Sequence, residues 1–486
     1  MYRIVQNSPQ NLPPDVAEFI ETLNALEQNR NEKARKFFDK SAEIFVARAP
    51  GRLDVMGGIA DYSGSLVLQM PIAEAVCAAL QKDEARRLKF LSLGAAENNR
   101  TDYFEINLAD FEPNGKIISY SSARKLFDGA NSWAAYAAGA FLVLMREKNA
   151  RFTKGARILI DSKVPEGKGV SSSAAIEAAA MKAIQAAFEI EIEPRETALL
   201  CQTVENSVVG APCGIMDQMA VICGEENKLL RLLCQPAELE KSLPIPDEIE
   251  FWGIDSGVRH SVGAGDYGSV RTGAFIGYRI VADLLKFKIN ETDIENFVEI
   301  EDEKYGGFLA NITPAEFEKN FAAHLPEKIS GADFLARYKG ISDAATKIAA
   351  EKIYPVFNPT AHPIYENSRV RRFSELLSEP LSEKNLLELG ELMYQSHVSY
   401  TTCGLGSAET NLLAEIAKNK NSIYGAKITG GGSGGTAAIL GRRGADAEIE
   451  QIAAEYKQKT NCRPHIFSGS SGGAASFGFL KLKRIN

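Results

Sequence analysis

The chain has 486 residues, 45% of them hydrophobic and 24% charged, which is enough for two or three well-buried domains and too apolar for disorder. Its 55 Lys and Arg against 63 Asp and Glu give a net charge of -8, so it has no basic footprint for nucleic acid or an anionic membrane. No apolar run approaches the ~20 residues of a membrane span, and the amino terminus lacks the apolar stretch of a secretion signal.

Seven cysteines (77, 201, 213, 223, 234, 403, 462) form no C-x-x-C pair, which suits reduced thiols in a cytoplasmic protein. The five histidines are too far apart in sequence for zinc-type spacing.

In chain order, Pro13-Pro14-Asp15 followed by Phe19, Ile20, Leu23 and Leu26 predicts a helix within an amino-terminal helical extension, residues 1–40. Glu43 to Ala49 predicts a short strand, the apolar run Val67 to Leu80 buried strands, and Arg157 to Asp161 another. From Ser171 the serine start and alanine-rich run predict a helix. A boundary is expected after the Pro244 and Pro246 loop, before the strand Phe251 to Asp255. This divides a first domain, 41–248, from a second, 249–486. Residues 285–365 are expected to be mostly helical. Strands Ala426 to Thr429 and Thr436 to Leu440 flank a glycine cluster.

Four segments carry the chemistry. Gly51 to Ser65 sets Arg52 and Asp61 in an apolar, glycine-marked stretch. Val164 to Ala174, between a strand and the alanine-rich helix, combines Gly167 and Gly169 with Ser171, Ser172 and Ser173. Glycines allow close approach to a ligand, and the helix start offers unpaired N–H groups to an anion. The same residues also suit a plain turn with an N-cap. It is not a Walker A loop, because Gly169 follows Lys168. Glu205 to Gln218 places Asp217 in apolar surroundings, as a general base or as the cap of the next helix. Lys427 to Thr436 is a glycine-rich loop between apolar strands, suited to packing against a ligand or a neighbouring backbone.

In this order the segments resemble the GHMP kinase superfamily. Cys213 to Gln218, Asp255 to Ser261, Gly265-Asp266-Tyr267, Trp133 with Tyr136, and Leu392-Met393 through His397 resemble its galactokinase branch. Gly51 to Pro71, Phe251 to Arg271 and the tail Ile466 to Gly473 are similar to the kinase domain of plant L-arabinokinases, which carry a further amino-terminal domain.

The resemblance implies an α+β, two-lobed GHMP kinase fold, with a ribosomal protein S5 domain 2-like N-lobe, a ferredoxin-like C-lobe and the active site in the cleft. It implies a sugar-1-kinase using ATP and Mg²⁺. Asp217 would take the proton from the anomeric hydroxyl, and Arg52 would hold Asp217 ionised and neutralise phosphoryl charge. Ser173, with Ser172 beside it, and Glu205 would hold Mg²⁺. Gly167, Gly169, Ser171 and Ala174 belong to the phosphate loop, and Trp133 and Tyr136 would lie near adenine. Asp61, Tyr62, Gly214 and Tyr267 would face the sugar, with Gly58 and Ile59.

Where galactokinases carry Glu, His and Thr, this chain has Gly58, Ile59 and Ala60. The family's glutamate meets the hydroxymethyl arm of galactose, an arm L-arabinopyranose lacks. A galactose arm against Gly58 and Ile59 would bury an unpaired hydroxyl, costing about 1–3 kcal/mol. The expected product is therefore L-arabinose 1-phosphate, made by a monomer. The alternatives are a galactokinase, a kinase of another pentose or a uronic acid, and a non-catalytic sugar sensor. The intact serine loop, Arg52, Glu205 and Asp217 argue against a sensor.

Overall fold

A computed structural model describes residues 1–7, 11–94, 101–259 and 267–485. His260, Ser261, Gly265 and Asp266 lie outside them. The first sheet contains β1 (Tyr2–Gln6), β2 (Ile44–Met56), β3 (Leu66–Asp83), β4 (Arg87–Ser92), β5 (Tyr103–Asn107), β6 (Gly155–Ser162) and β7 (Lys228–Leu233). The second contains β8 (Ile249–Asp255), β9 (Ile423–Ile428), β10 (Thr436–Arg442) and β11 (Ile466–Phe467). The last strand, β12 (Leu480–Arg484), returns to the first sheet, whose order is β1-β12-β2-β3-β6-β4-β5, with β7 on the start of β3.

The predicted strand at 43–49 runs on to Met56, because β2 pairs antiparallel with β3 from Phe45↔Leu80 to Met56↔Leu68. Register shifts at Pro50/Arg52 and Asp54/Met56 bracket Arg52. Bulges of this kind accommodate a proline without a ladder N–H and re-aim nearby side chains. Helix α1 (Pro14–Ala25) covers the edge of this sheet, burying Val16, Phe19 and Leu23. Helix α2 (Ala135–Glu147) and the alanine-rich α3 (Ser172–Phe188) cover its face. Six buried alanines on α3, from Ala174 to Ala183, let it lie close across β2 and β3.

The second sheet is antiparallel in the order β9-β10-β8-β11, with long helices in the connections, a βαββαβ arrangement of ferredoxin type. Helices α4 (Pro194–Thr203) and α5 (Met216–Cys223) belong to the first lobe. The second lobe holds α6 (Tyr267–Leu284), α7 (Phe357–Leu377), α8 (Glu383–Thr402), α9 (Ala408–Lys418) and α10 (Asp446–Thr460).

Three expectations need correction. The 1–40 segment is not purely helical, because β1 ladders with β12 from Tyr2↔Arg484 to Gln6↔Lys481. For the same reason the end of the 249–486 segment belongs to the first sheet. Residues 285–365 are not mostly helical either. Their alternation of charged and apolar residues has the two-residue period of strands. It forms the ladders Lys288–Glu291 with Val298–Glu301 and Lys328–Ser330 with Ile353–Pro355, besides short helices. Tyr305, Phe317, Phe334 and Tyr338 give this insertion its own core.

Candidate active site

A cavity of about 650 Å³ opens between the two sheets, within the usual range for a small-molecule site. Arg52, Ile59, Asp61, Trp133, Tyr136, Gly167, Gly169, Ser171, Ser172, Ser173, Glu205, Gly214, Asp217 and Tyr267 all line it. Gly430 and Gly431 contribute the wall from the second lobe.

Arg52 is 2% exposed, and its Nε and Nη2 donate to Asp217 Oδ1 at 3.0 and 2.6 Å. Its Nη1 donates to the Gly169 carbonyl at 2.6 Å. One guanidinium therefore ties the carboxylate to the serine loop. Asp217 is not a cap: α5 starts one residue earlier, Ile215 is at the N-cap, and no side chain caps it.

The serine loop is not capped conventionally either. Ser171, at the N-cap of α3, has φ 59° and makes no side-chain cap bond. Its Oγ is buried without a partner. A hydroxyl withheld from the helix and left unsatisfied in a cavity wall favours an anion site over a plain turn. The glycine loop supports it from behind: Thr436 Oγ1 donates to Lys168 O at 2.8 Å. A Cβ at Gly430 would lie 2.7 Å from Gly169 O, so that approach requires glycine.

Glu205 lies in a π-helical turn, Val204–Val209, of the kind that often marks functional positions. Burial first, and then the nearby Asp217 charge, push its carboxyl up to about 7, against hydrogen bonds from Ser173, Cys213 and Gln218. Asp61 is buried and pushed up to about 6 by burial and then by Asp217, while Arg271 opposes the rise. Its Oδ1 has no partner, as expected for an acceptor awaiting a ligand hydroxyl. A Cβ at Gly214 would overlap the Asp61 carboxylate, so only glycine fits there.

Three predicted residues stand outside the cavity wall. Ala174 is wholly buried in the core beneath the serines. Tyr62 lies behind Tyr267, edge-on with ring centroids 6.0 Å apart. Gly58 is not open space beside a sugar: a Cβ there would overlap the Tyr400 hydroxyl and the Asp54 carboxylate. Ile59 does line the cavity, at φ 52°. A β-branched residue in that region costs about 1–3 kcal/mol and persists only where its surroundings dictate it.

Those surroundings escaped the sequence reading. Lys427 Nζ bonds Asp54 Oδ2 at 2.8 Å with both side chains fully buried, and Gln69 Nε2 donates to Asp54 Oδ1 at 2.7 Å. His362 Nε2 donates to Gly58 O at 3.0 Å, and Gly57 N donates to Glu366 Oε1 at 3.1 Å. Burial pushes His362 down to about 4, so it is neutral, with Nδ1 accepting from Ser399 Oγ at 2.7 Å. Burial alone would raise Glu366, but the Arg369 and Lys427 charges and a hydrogen bond from Ser396 outweigh it and hold it below the usual carboxyl range.

Two further groups were missed. Gln218 Nε2 bridges Glu205 Oε2 at 2.6 Å and the fully buried Glu177 Oε2 at 3.3 Å. Burial, then the Glu205 charge, raises Glu177 well above the usual carboxyl range. Arg271 Nε and Nη2 each donate to Asp343 at 2.8 Å, joining α6 to the insertion beside the cavity. Glu177 had a signal, a lone carboxylate four residues after Ser173 in an apolar helix. Asp343 had none, because its partner lies 72 residues away.

Comparison with known proteins agrees with this geometry. The family models for the GHMP kinases N terminal domain and the GHMP kinases C terminal match residues 135–225 and 377–458. The galactokinase galactose-binding signature matches residues 34–82. An L-arabinokinase of Arabidopsis thaliana is 44% identical over 99% of this chain, which spans 52% of that protein. A galactokinase of Fusobacterium nucleatum is 24% identical, covering 92% of this chain and 98% of its own. The fold matches that of Lactococcus lactis galactokinase complexed with galactose, with a TM-score of 0.70 at 20% identity over 94% of this chain and 99% of that one. Among the described residues no helix is long and apolar enough to cross a membrane.

Proposed function

The chain belongs to the GHMP kinases, and from that membership we propose that it is an ATP- and Mg²⁺-dependent sugar-1-kinase converting L-arabinose to L-arabinose 1-phosphate. The observation that carries the kinase reading is the Arg52–Asp217 pair, fixed between the serine loop and the buried acceptor Asp61.

In this reading Asp217 accepts the anomeric proton through Oδ2, because both Arg52 bonds fall on Oδ1. The guanidinium keeps the carboxylate oriented and offsets negative charge moving toward the serine loop. Ser171, Ser172 and the open first turn of α3 hold the phosphates of ATP. Trp133 and Tyr136 supply an aromatic wall for the base. Asp61, with Tyr267 beside it, receives sugar hydroxyls.

Ser173 and Glu205 fit a magnesium site. They hydrogen-bond to one another, and Glu205 is a buried carboxylate short of positive charge. Among the described residues no cluster of three or more His, Cys, Asp or Glu could hold a metal by itself. Such a site suits Mg²⁺, which takes one or two protein oxygens and completes its shell with phosphates and water. When bound, the ion would neutralise phosphate charge.

The choice of L-arabinose is supported by Ile59, which offers the cavity apolar surface and no acceptor for a hydroxymethyl group. It is supported too by the similarity to the Arabidopsis L-arabinokinase. The test is ADP release with Mg·ATP across L-arabinose, D-galactose and related aldoses, with the phosphorylated carbon assigned by NMR. Turnover of D-galactose without L-arabinose would overturn the acceptor and leave the kinase reading in place. Sugar binding with no ADP release would favour a sensor.

A further inference from the structure

Tyr400, near the carboxyl end of α8, is wholly buried and does not line the cavity. Its hydroxyl sits 3.0 Å from Gly430 O and 3.2 Å from Asp54 Oδ2, and its ring meets His362 edge-on at 5.4 Å. It therefore touches the glycine loop, the Asp54–Lys427 pair and the histidine that holds the Gly58 carbonyl.

The hydroxyl fills the space that a side chain at position 58 would need. With the Tyr400 hydroxyl and the Asp54 carboxylate both there, residue 58 can only be glycine. The next residue, Ile59, takes its left-handed conformation there and packs on Tyr400, Val270, Cys403 and Leu405. Ile59 is the member of this cluster that meets both the phenol behind it and the cavity in front.

We propose that Tyr400 is a positioning residue for sugar specificity: its hydroxyl fixes the Gly57–Gly58–Ile59 turn so that Ile59 walls off the space an exocyclic hydroxymethyl group would occupy. This rests on the reading of the site as one for L-arabinopyranose, and it extends the class of acceptor to pyranoses bearing no exocyclic carbon. The phenol backs the turn at Gly58 by contact, anchored by its own bonds to Gly430 O and Asp54 Oδ2; the apolar face of Ile59 does the excluding.

The experiment compares wild type, Tyr400→Phe, Ile59→Ala and the double variant, reading the ratio of kcat/KM for D-galactose to that for L-arabinose. Tyr400→Phe should raise that ratio about tenfold, the scale on which a pocket senses one small group. The double variant should raise it no further than Ile59→Ala alone, because both act through one side chain. An unchanged ratio in Tyr400→Phe, with both sugars slowed equally, means a merely structural tyrosine and overturns the proposal while leaving the acceptor reading intact. A wild-type preference for D-galactose overturns both.

A second measurement needs no substrate. Gly58→Ala should lower the melting temperature less in the Tyr400→Phe background than in wild type, by the share of the overlap that the phenol adds to that of the Asp54 carboxylate. Additive effects would show that the phenol does not dictate glycine at 58, and would sink the proposal even if wild type turned over L-arabinose.

Discussion

Arg52 places two hydrogen bonds on a single oxygen of Asp217, at 2.6 and 3.0 Å, while its third nitrogen holds the Gly169 carbonyl. The pair is thus a clamp with one free carboxylate oxygen, on the side left for an acceptor hydroxyl. Replacing Asp217 with Asn keeps an oxygen for Arg52 and removes the base. We expect kcat to fall about 10²–10⁴-fold with little change in melting temperature. Steady-state ADP release and a thermal scan on one preparation test this, and full activity in the variant would remove Asp217 from the chemistry.

Gly214 and Asp61 predict a different phenotype. A methyl at 214 overlaps the Asp61 carboxylate, so Gly214→Ala must displace this proposed sugar-binding group while leaving Arg52 and Asp217 in place. The expected result is a KM for sugar raised about tenfold or more, the cost of one mispaired buried hydroxyl, with KM for ATP nearly unchanged. Equal loss for both substrates would place the damage elsewhere.

Glu205 sets a pH signature on stability. Its carboxyl sits at about 7 in the folded chain against an ordinary 4.5, so the folded state binds a proton the unfolded state has released. The sign follows: stability falls as pH rises from about 4.5 through about 7, by about 3 kcal/mol for this group. Melting temperature of the ligand-free protein between pH 5 and 8 should show that slope, and Glu205→Gln should flatten it. A slope identical in the variant would assign the effect to other groups, Asp61 first.

Arg271 and Asp343 form a bidentate pair with side chains 8% and 6% exposed. Removing one partner strands a buried charge, and Asp343→Ala should cost about 3–5 kcal/mol. Replacing both with apolar residues of similar volume should recover much of that loss. Urea unfolding of the two single variants and the double variant measures the coupling; additive losses would mean the pair contributes nothing as a pair.

Much of the site was legible because its chemistry is local. The serine loop, the Cys213–Asp217 turn and the Gly51–Ser65 segment each fit within 15 residues, and their residue types declare unsatisfied donors, tight turns and a buried charge. What stayed hidden depends on partners far along the chain. Gly58 reads as a position facing the sugar until Tyr400, 342 positions later, is found beside Asp54 in the space its side chain would need. Asp54 gives no signal of its own within the Gly51–Ser65 segment, because its partner Lys427 comes from the other lobe. The insertion at 285–365 misled for another reason: its strand-like alternating runs are only three or four residues long and are interleaved with short helices, so pairing partners are needed to pick them out.

The placement of β12 between β1 and β2 bears on how the chain is made. Almost the whole of this sequence separates β1 from β12, yet among the described residues β1 ladders to β12 alone, whose pairing begins at Leu480. The large sheet can assemble outward from β2 and β3, but its β1 edge must wait until β12 has been made. The active cleft, built on β2, α3 and α5, does not share that delay within its own lobe. Met1 and Ile485 finish side by side, joined by bonds of 3.0 and 3.1 Å. A short linker across that join should therefore permit circular permutation, with new ends cut in the exposed 113–117 loop.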